Sequence, residues 1–340
     1  RPILGWGMDN FGYVFSKYYD PNKWGQEQWF DRAHNVLFDW LVAGGVLGAI
    51  GYVSLFACAV YCIWRRADEL TVLEKSVLTG LLGGYFFQNL FVFDSISSLI
   101  YFGTILAYVG SFGYKEEVIV KEKKLMAGEE DLTIFVSGGA IVLAFILIYT
   151  VNYNGFKQNT TLIRALSERS DKGAVHNLNL MKDTIAYNSY GTSEAREQLA
   201  SFSMNAFDQT KGVSDIQKQF IELAKSELEK QASELPSDAR YQLFAGSYLA
   251  KIGDLDKGIA YLEKAVELSP TKQTILFELA SAYYTKKDTK KSEELFKRAF
   301  DLAPEFETAE KYYLQILMTN GKRTEAEKIL KARPLSGIKL

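Results

Sequence analysis

Two consecutive 34-residue segments of the chain read SDARYQLFAGSYLAKIGDLDKGIAYLEKAVELSP (residues 237–270) and TKQTILFELASAYYTKKDTKKSEELFKRAFDLAP (residues 271–304). A proline closes each segment and another precedes them, so that Pro236, Pro270 and Pro304 recur at one constant interval. The same spacing relates several apolar or small positions: Leu228, Leu262 and Phe296, Gly246 and Ala280, and Ala265 and Ala299. A period of this length predicts stacked helical units, each of which buries its apolar face against its neighbours.

The pattern resembles the tetratricopeptide repeat, with full copies at Ala239–Lys272 and Gln273–Phe306. A third copy from Glu307 keeps Tyr313, Ala326 and Leu330 but lacks the closing proline. Apolar residues at helical spacing also occur in Leu180–Ala200 and Phe220–Leu235. The resemblance implies a helical solenoid over residues 157–340, clearest at 239–340, whose concave groove serves as a docking surface.

One acidic motif in the repeats, Asp254-Leu255-Asp256, looks like the metal-binding carboxylate pair of nucleotide-sugar glycosyltransferases. It follows Gly253 in the predicted turn between the two helices of a repeat, where Gly-Asp is common turn chemistry. The turn interpretation is therefore favoured over a metal site, and we expect neither a metal nor a cofactor.

Composition divides the chain into an apolar part and a polar part. All the tryptophans and both cysteines lie between Arg1 and Trp64, whereas the chain from Thr161 to Leu340 is rich in Lys, Glu, Ala and Leu. The net charge of −2, with basic residues interspersed among acidic ones, gives no reason to expect a nucleic-acid partner. Cys58 and Cys62, close together in an apolar run, exclude a disulfide framework and a cysteine-ligated zinc site.

Four uncharged apolar stretches predict transmembrane helices, since a helix needs about 20 such residues to span a bilayer. They are residues 40–64, 76–93, 95–114 and 132–156. The connections Arg65–Lys75 and Lys115–Asp131 are the most basic, which places them in the cytoplasm. Residues 1–39 and everything after Phe156 are then extracytoplasmic, in a protein of the bacterial inner membrane.

The segment Arg1–Asp39 is dense in aromatic residues, which suit both a lipid interface and stacking on sugar rings. His34 stands near the start of the first predicted span, just after Arg32. A histidine lying at head-group level is one interpretation. The other is a site, because free N–H groups at a helix start capped by Asp31 or Asn35, together with Arg32, suit a diphosphate. A neutral His34 would then act as general base.

Asn89 and Asp94 lie near the outer end of the second predicted span and are therefore expected on the same side of the membrane as His34. Polar groups at this depth often line a site. A structural role for Asp94, capping a tight turn, is equally consistent with the sequence.

Residues 1–113 resemble the C-terminal part of the membrane domain of the O-antigen ligase and O-antigen polymerase superfamily, including its protein O-oligosaccharyltransferase branch. The motifs that carry this resemblance are RPILGWGMDNF (1–11), AHNVLF (33–38) and GGVLG (44–48). The resemblance implies metal-independent transfer of a glycan from a polyprenyl (undecaprenyl) diphosphate donor to a glycan, lipid or protein acceptor. It implies that His34 is the base and that Arg32 and, less directly, Arg1 contact the diphosphate.

Members of that superfamily have more spans and an arginine on an earlier outer loop, so we expect this chain to be a fragment that lacks the N-terminal membrane domain. The alternative function is a non-catalytic, membrane-anchored tetratricopeptide scaffold for envelope partners. The sequence leaves open the choice among ligase, polymerase and protein glycosylation.

Overall fold

The computed structural model describes residues 1–112, 129–167, 173–205 and 214–332. The described chain is all-α, as predicted, and it divides into two compact units. The N-terminal unit comprises residues 1–15 and 29–137, and the solenoid unit comprises residues 16–28 and 138–340.

Three long helices build the N-terminal unit: α2 (Val36–Arg65), α3 (Val72–Asn89) and α4 (Ile96–Ser111), which follow the short helix α1 (Phe11–Lys17). Polar side chains cap each long helix. Asn35 caps α2, and capping boxes that begin at Thr71 and Ser95 start α3 and α4. Their common core contains Ile63, Leu82, Phe102 and Val109.

Two helices in the described residues are long and apolar enough to cross a membrane, Val36–Arg65 and Phe135–Ser167. The second and third predicted spans differ from the observed helices: α3 begins at residue 72 and not at residue 76, with the predicted length, and α4 is shorter than its predicted span. Helix α3 has a charged first turn, and the 16 residues of α4 extend about 24 Å at 1.5 Å per residue, less than a hydrocarbon core of about 30 Å. The four-span topology therefore stays a prediction, and most of the Lys115–Asp131 connection lies outside the described residues.

Helix α5 (Glu129–Ser167) extends well past residue 156, where its predicted span ends. Its last turns belong to the core of the solenoid unit, in which Leu162 and Ala165 are buried. Buried Gln158 donates to the Thr184 carbonyl at 3.0 Å, and Asn177 donates to the Ala165 carbonyl at 2.6 Å. The apolar helix and the solenoid are thus continuous, without a linker between them.

The solenoid continues with α6 (Gly173–Ala186), α7 (Thr192–Asn205) and α8 (Asp215–Glu234). The single helical pattern expected for Leu180–Ala200 is two helices, because the chain turns at residues 187–191. Three hairpins follow, each with two helices: α9 (Ala239–Lys251) with α10 (Leu255–Leu268), α11 (Gln273–Thr285) with α12 (Thr289–Leu302), and α13 (Glu307–Thr319) with α14 (Arg323–Ala332).

The repeat period is confirmed helix by helix. The first helices of the hairpins begin at residues 239, 273 and 307, and the second helices begin at 255, 289 and 323. The positions that the repeat predicts as core are buried, including Leu262, Ala265, Ala280 and Ala299.

Candidate functional site

The first long helix of the N-terminal unit is broken in the middle. Gly45, inside α2, has φ 64° and ψ −159°, which are not helical values. The chain that precedes α1 supplies hydrogen bonds on both sides of this break. The Trp6 N–H donates to the Val42 carbonyl at 2.7 Å, and the Val46 N–H donates to the Pro2 carbonyl at 2.9 Å. The backbone groups released by the break are therefore paired, as burial in an apolar environment requires.

Glycine is required at two positions of this junction. A Cβ on Gly5, whose φ is +68°, would lie 2.5 Å from the Ala43 carbonyl oxygen, and one on Gly45 would overlap the Ile3 carbonyl oxygen. Both backbones also lie in the left-handed region that favours glycine. Gly5 of RPILGWGMDNF and Gly45 of GGVLG thus serve a contact between the N-terminal loop and the broken helix.

A cavity of about 230 Å³ lies against this broken helix, within the N-terminal unit. Its charged lining consists of the Arg32 guanidinium and the carboxyl groups of Asp9, Asp31, Asp39 and Asp94. Arg32 lies 3.6 Å from Asp9. Because carboxyl groups outnumber the guanidinium, this lining suits a ligand that donates hydrogen bonds, such as sugar hydroxyls, better than a diphosphate.

His34 lies just before α2, in a left-handed backbone conformation with φ 53°. Its exposed ring makes edge contacts with Phe30 and Phe93, at centroid distances of 5.8 and 5.2 Å. The Arg32 guanidinium lies 5.7 Å from the same Phe93 ring. The structure therefore brings Arg32 and His34 together at Phe93, although His34 is not among the residues that line the described cavity.

The start of α2 differs from the expected anion site. Asn35, rather than Asp31, is the cap, and its carboxamide oxygen accepts from the N–H groups of Leu37 and Phe38 at 3.0 and 3.2 Å. Asp39 in the first turn accepts from the Ala33 N–H at 2.7 Å. The N–H groups of Leu37 and Phe38, which were expected to face a phosphate, are therefore bonded to the Asn35 side chain.

The remaining predicted residues have structural partners. Asp94 accepts hydrogen bonds from the Tyr85 hydroxyl, from Asn89 at 2.9 Å and from Ser98 at 3.0 Å, which fixes the α3–α4 connection. Asn89 is buried. Asn35 ties the start of α2 to this connection by donating to the Leu90 carbonyl at 3.0 Å.

Arg1 lies away from this network, with its guanidinium 5.0 Å from the centroid of the Trp6 ring. Arg32, Asp31 and Asp94 therefore share a cavity, whereas Arg1 does not line it.

The solenoid unit carries a larger groove of about 530 Å³ along the first helices of its hairpins. Aromatic side chains from the first helices of three successive hairpins line it: Phe244 and Tyr248 on α9, Phe277 on α11 and Tyr312 on α13. A second cavity of about 250 Å³ continues from Tyr312 along α11 and α13. The repeat pattern predicts a concave groove but not these side chains. The equivalent first-helix positions 244, 278 and 312 hold Phe, Glu and Tyr, so their alignment indicates Phe244 and Tyr312 but neither Tyr248 nor Phe277.

Three charged residues border the aromatic lining of the groove: Glu197, Lys251 and Glu278. Glu197 accepts from Arg240 at 2.8 Å. Burial raises the pKa of the Glu197 carboxyl, and Arg240 opposes that effect. The groove thus combines apolar area with a small excess of carboxyl groups.

The acidic motif in the repeats forms ion pairs. Asp254 is 2.9 Å from Lys225, whose hydrogen bond holds the pKa of that carboxyl below its usual range, and Asp256 is 2.6 Å from Lys286. Within the described residues there is no group of three or more His, Cys, Asp or Glu side chains that could hold a metal ion. The turn interpretation of this motif fits the observed geometry.

Comparison with known families identifies the solenoid. The tetratricopeptide repeat model matches residues 217–273 and 245–307. Residues 217–307 are tetratricopeptide repeats. The match includes α8, where the sequence pattern is degenerate, and all of the two full copies predicted above.

Three solved structures similar to this chain are of MamA proteins. A crystal structure of MamA protein has 16% identity and a TM-score of 0.40, covering 54% of this chain and 100% of that one. MamA 41-end from Desulfovibrio magneticus RS-1 has 17% identity and a TM-score of 0.40, covering 53% and 92%. Another crystal structure of MamA has 18% identity and a TM-score of 0.37, covering 46% and 85%. No curated protein matches the chain.

Proposed function

We propose that this protein is a membrane-anchored tetratricopeptide scaffold whose groove binds an extended segment of a partner protein. The observation that carries the proposal is the aromatic lining contributed by α9, α11 and α13, which forms one surface across consecutive repeats. Aromatic side chains contribute much of the binding energy at protein interfaces, since each offers a large apolar area with few rotatable bonds.

The groove defines the chemistry of the partner. Its aromatic residues suit apolar side chains of the ligand, and Glu278 suits a lysine or arginine. A segment with apolar residues and at least one basic residue fits this lining.

The proposed location is the bacterial inner membrane. The apolar helices Val36–Arg65 and Phe135–Ser167 support a membrane anchor. Arg65 ends α2, Arg66 follows it and Lys75 lies near the start of α3; basic residues around a connection favour the cytoplasmic side. With four spans, the solenoid would face the envelope, and its partner would be an envelope protein.

The test is site-specific photocrosslinking in cells that produce the full chain. A photoreactive amino acid replaces Tyr312, an exposed aromatic residue of the groove, and in a control variant it replaces Glu294, which is exposed on α12. We expect one prominent adduct from position 312, identified by mass spectrometry. In the same photoreactive chain, Ser247→Arg should remove the adduct by filling the groove. Equal labelling from positions 312 and 294 would refute the proposal.

A second candidate function, glycan transfer, is favoured by one specific observation. Arg32, Asp31 and Asp94 line a single cavity, and His34 lies next to Arg32 at Phe93. Together with the resemblance of residues 1–113, this supports a superfamily-type transferase that uses a polyprenyl-diphosphate-linked glycan. The acidic lining would then hold the acceptor hydroxyls, with His34 as the base.

The transferase proposal is tested in the complete protein by glycan transfer from the lipid-linked donor. His34→Ala should abolish transfer while membrane insertion is unchanged, and Arg32→Lys should restore little of the activity lost in Arg32→Ala if the contact is bidentate. Full transfer by His34→Ala would exclude this mechanism and leave the scaffold function intact.

A further inference from the structure

A segment from the start of the chain is built into the solenoid unit. Residues 16–28 belong to that unit although the residues on both sides of them do not. Tyr19 of this segment is buried, and the Trp24 ring stacks on Phe306 with a centroid distance of 4.8 Å and an interplanar angle of 9°. The segment thus contacts repeats that lie far from it in the sequence.

Four side chains at one corner of the solenoid donate to main-chain carbonyls of the segment. The corner is the connection between α10 and α11. Its bonds are Ser269 to the Ser16 carbonyl at 2.6 Å, Thr271 to Tyr19 at 2.6 Å, Gln273 to Pro21 at 2.8 Å, and Lys272 to Gln28. Side-chain donors that bind the backbone carbonyls of another segment are a mode of peptide recognition.

The equivalent corners of the neighbouring repeats lack this donor set. One period earlier, the positions of Ser269, Thr271, Lys272 and Gln273 hold Leu235, Ser237, Asp238 and Ala239. One period later they hold Ala303, Glu305, Phe306 and Glu307. Since the fold of the repeat is the same at all three corners, the fold does not require four donors, and their presence at the occupied corner points to binding.

Aromatic contacts add selectivity to the backbone contacts. The Lys272 ammonium lies 4.7 Å from the centroid of the Tyr19 ring. Phe306, on which Trp24 stacks, also lies 5.7 Å from Phe277 in the groove. The peptide-binding corner therefore adjoins the groove through a shared aromatic cluster.

We propose that the α10–α11 corner, with Phe306, is a second peptide-binding site of the solenoid, and that its ligand is the chain's own segment Ser16–Gln28. The four corner side chains hold the backbone of the segment, and Phe306 and Lys272 select Trp24 and Tyr19. This site is separate from the groove proposed above and does not depend on a partner protein there.

The test uses the full chain in detergent micelles with residues 16–28 replaced by a Gly/Ser sequence of equal length. A fluorescent peptide with the sequence SKYYDPNKWGQEQ (16–28) is titrated and followed by anisotropy. We call the chain with this replacement the emptied chain. We expect the peptide to bind it saturably and to bind the native chain, whose site is occupied, at least tenfold more weakly. A Trp24→Ala peptide should bind about tenfold more weakly, because stacking and apolar burial are lost.

Two variants of the emptied chain locate the binding. Thr271→Val with Gln273→Leu should weaken binding at least tenfold, whereas Ser237→Ala, at the equivalent corner one period earlier, should leave it unchanged. Absence of peptide binding to a folded emptied chain, with native circular dichroism, would overturn the proposal. Equal binding by the Thr271/Gln273 variant would overturn it too.

If the emptied chain does not fold, cross-linking in the otherwise native chain tests whether the segment Ser16–Gln28 docks on the corner. In a Cys58→Ser, Cys62→Ser background, Trp24→Cys with Phe306→Cys should be joined within one chain by a short bismaleimide. The control pair, Trp24→Cys with Tyr190→Cys, should not be joined efficiently, because Tyr190 is exposed between α6 and α7, several helices away from the α10–α11 corner. Equal yields from the two pairs would refute docking of the segment.

Discussion

The burial of Lys272 predicts that the stability of the solenoid unit increases with pH. Its side chain is fully buried between the segment Ser16–Gln28 and the α10–α11 corner, and burial lowers the pKa of its ammonium to about 7. The charged and titratable groups around it are Asp238, which opposes the shift, Arg240, which adds to it, and Tyr19. We consider the variant Lys272→Met, whose unbranched side chain is one atom shorter and carries no charge.

The sign and size of the change in the free energy of unfolding with pH follow from proton binding to the folded and unfolded chains. An unfolded lysine titrates near 10.5, so between pH 7 and 10.5 the unfolded chain binds more protons than the folded one, and stability rises with pH. From pH 7 to pH 9 the gain is about 2 kcal/mol, because each full pKa unit corresponds to about 1.4 kcal/mol and Lys272 is half-protonated at the start. Burial raises the pKa of the Tyr19 hydroxyl, so its ionisation opposes the gain only at higher pH.

The assay is urea unfolding of the full chain in detergent, followed by far-ultraviolet circular dichroism at pH 7 and pH 9. Between pH 7 and pH 9 the free energy of unfolding of the native chain should rise by about 2 kcal/mol, whereas that of Lys272→Met should rise little. Lys290→Met, at an exposed position on α12, is the control and should behave like the native chain. An equal gain in native and Lys272→Met chains would refute the assignment of the pH dependence to Lys272.

Three further substitutions test the packing. Gly45→Ala should destabilise the N-terminal unit by about 2 kcal/mol or more, because its Cβ meets the Ile3 carbonyl at positive φ, whereas Gly51→Ala, with open space, should be near neutral in thermal unfolding. Gly246→Ala should lower the free energy of unfolding, measured with urea, by about 1–3 kcal/mol, because its Cβ would lie 2.7 Å from Leu262 Cγ. We expect this loss even though the equivalent residue of the next repeat is Ala280. Arg196→Met should lower the free energy of unfolding by about 3 kcal/mol, since it leaves Glu227, 2.9 Å from Arg196, largely buried and unpaired. An unchanged urea midpoint for Arg196→Met would contradict this prediction.

The repeats were predictable from the sequence because their spacing is a local property. Each hairpin buries its own small and apolar residues, such as Ala265 and Ala299, so the period in sequence is the period in space. The positions of the apolar helices were also predictable, although their ends were not. Capping at Thr71 and Ser95 starts α3 and α4, and the length available to each helix follows from those caps and from the connection around Asp94.

The candidate site was predictable only in part. Proximity in sequence was enough to place Arg32 beside His34 and to offer Asp31 or Asn35 as the cap of α2, but not to choose between these two caps. The carboxyl groups of Asp9 and Asp94 enter the cavity from other parts of the chain. The charge around Arg32 therefore depends on tertiary contacts that no local pattern encodes.

The sequence does indicate the docking of Ser16–Gln28, but it does so through the repeats and not through the segment itself. Residues 16–28 have no period and no apolar alternation, so nothing within them predicts contact with the solenoid. The repeats, in contrast, offer an internal comparison. The corner at Ser269–Gln273 carries four side-chain donors, whereas the equivalent positions hold one donor, Ser237, in the earlier repeat and none in the later one. Equivalent positions of the repeats have the same place in the fold. A polar residue found at such a position in one repeat alone therefore indicates a contact that only this repeat makes, and here that contact is with Ser16–Gln28.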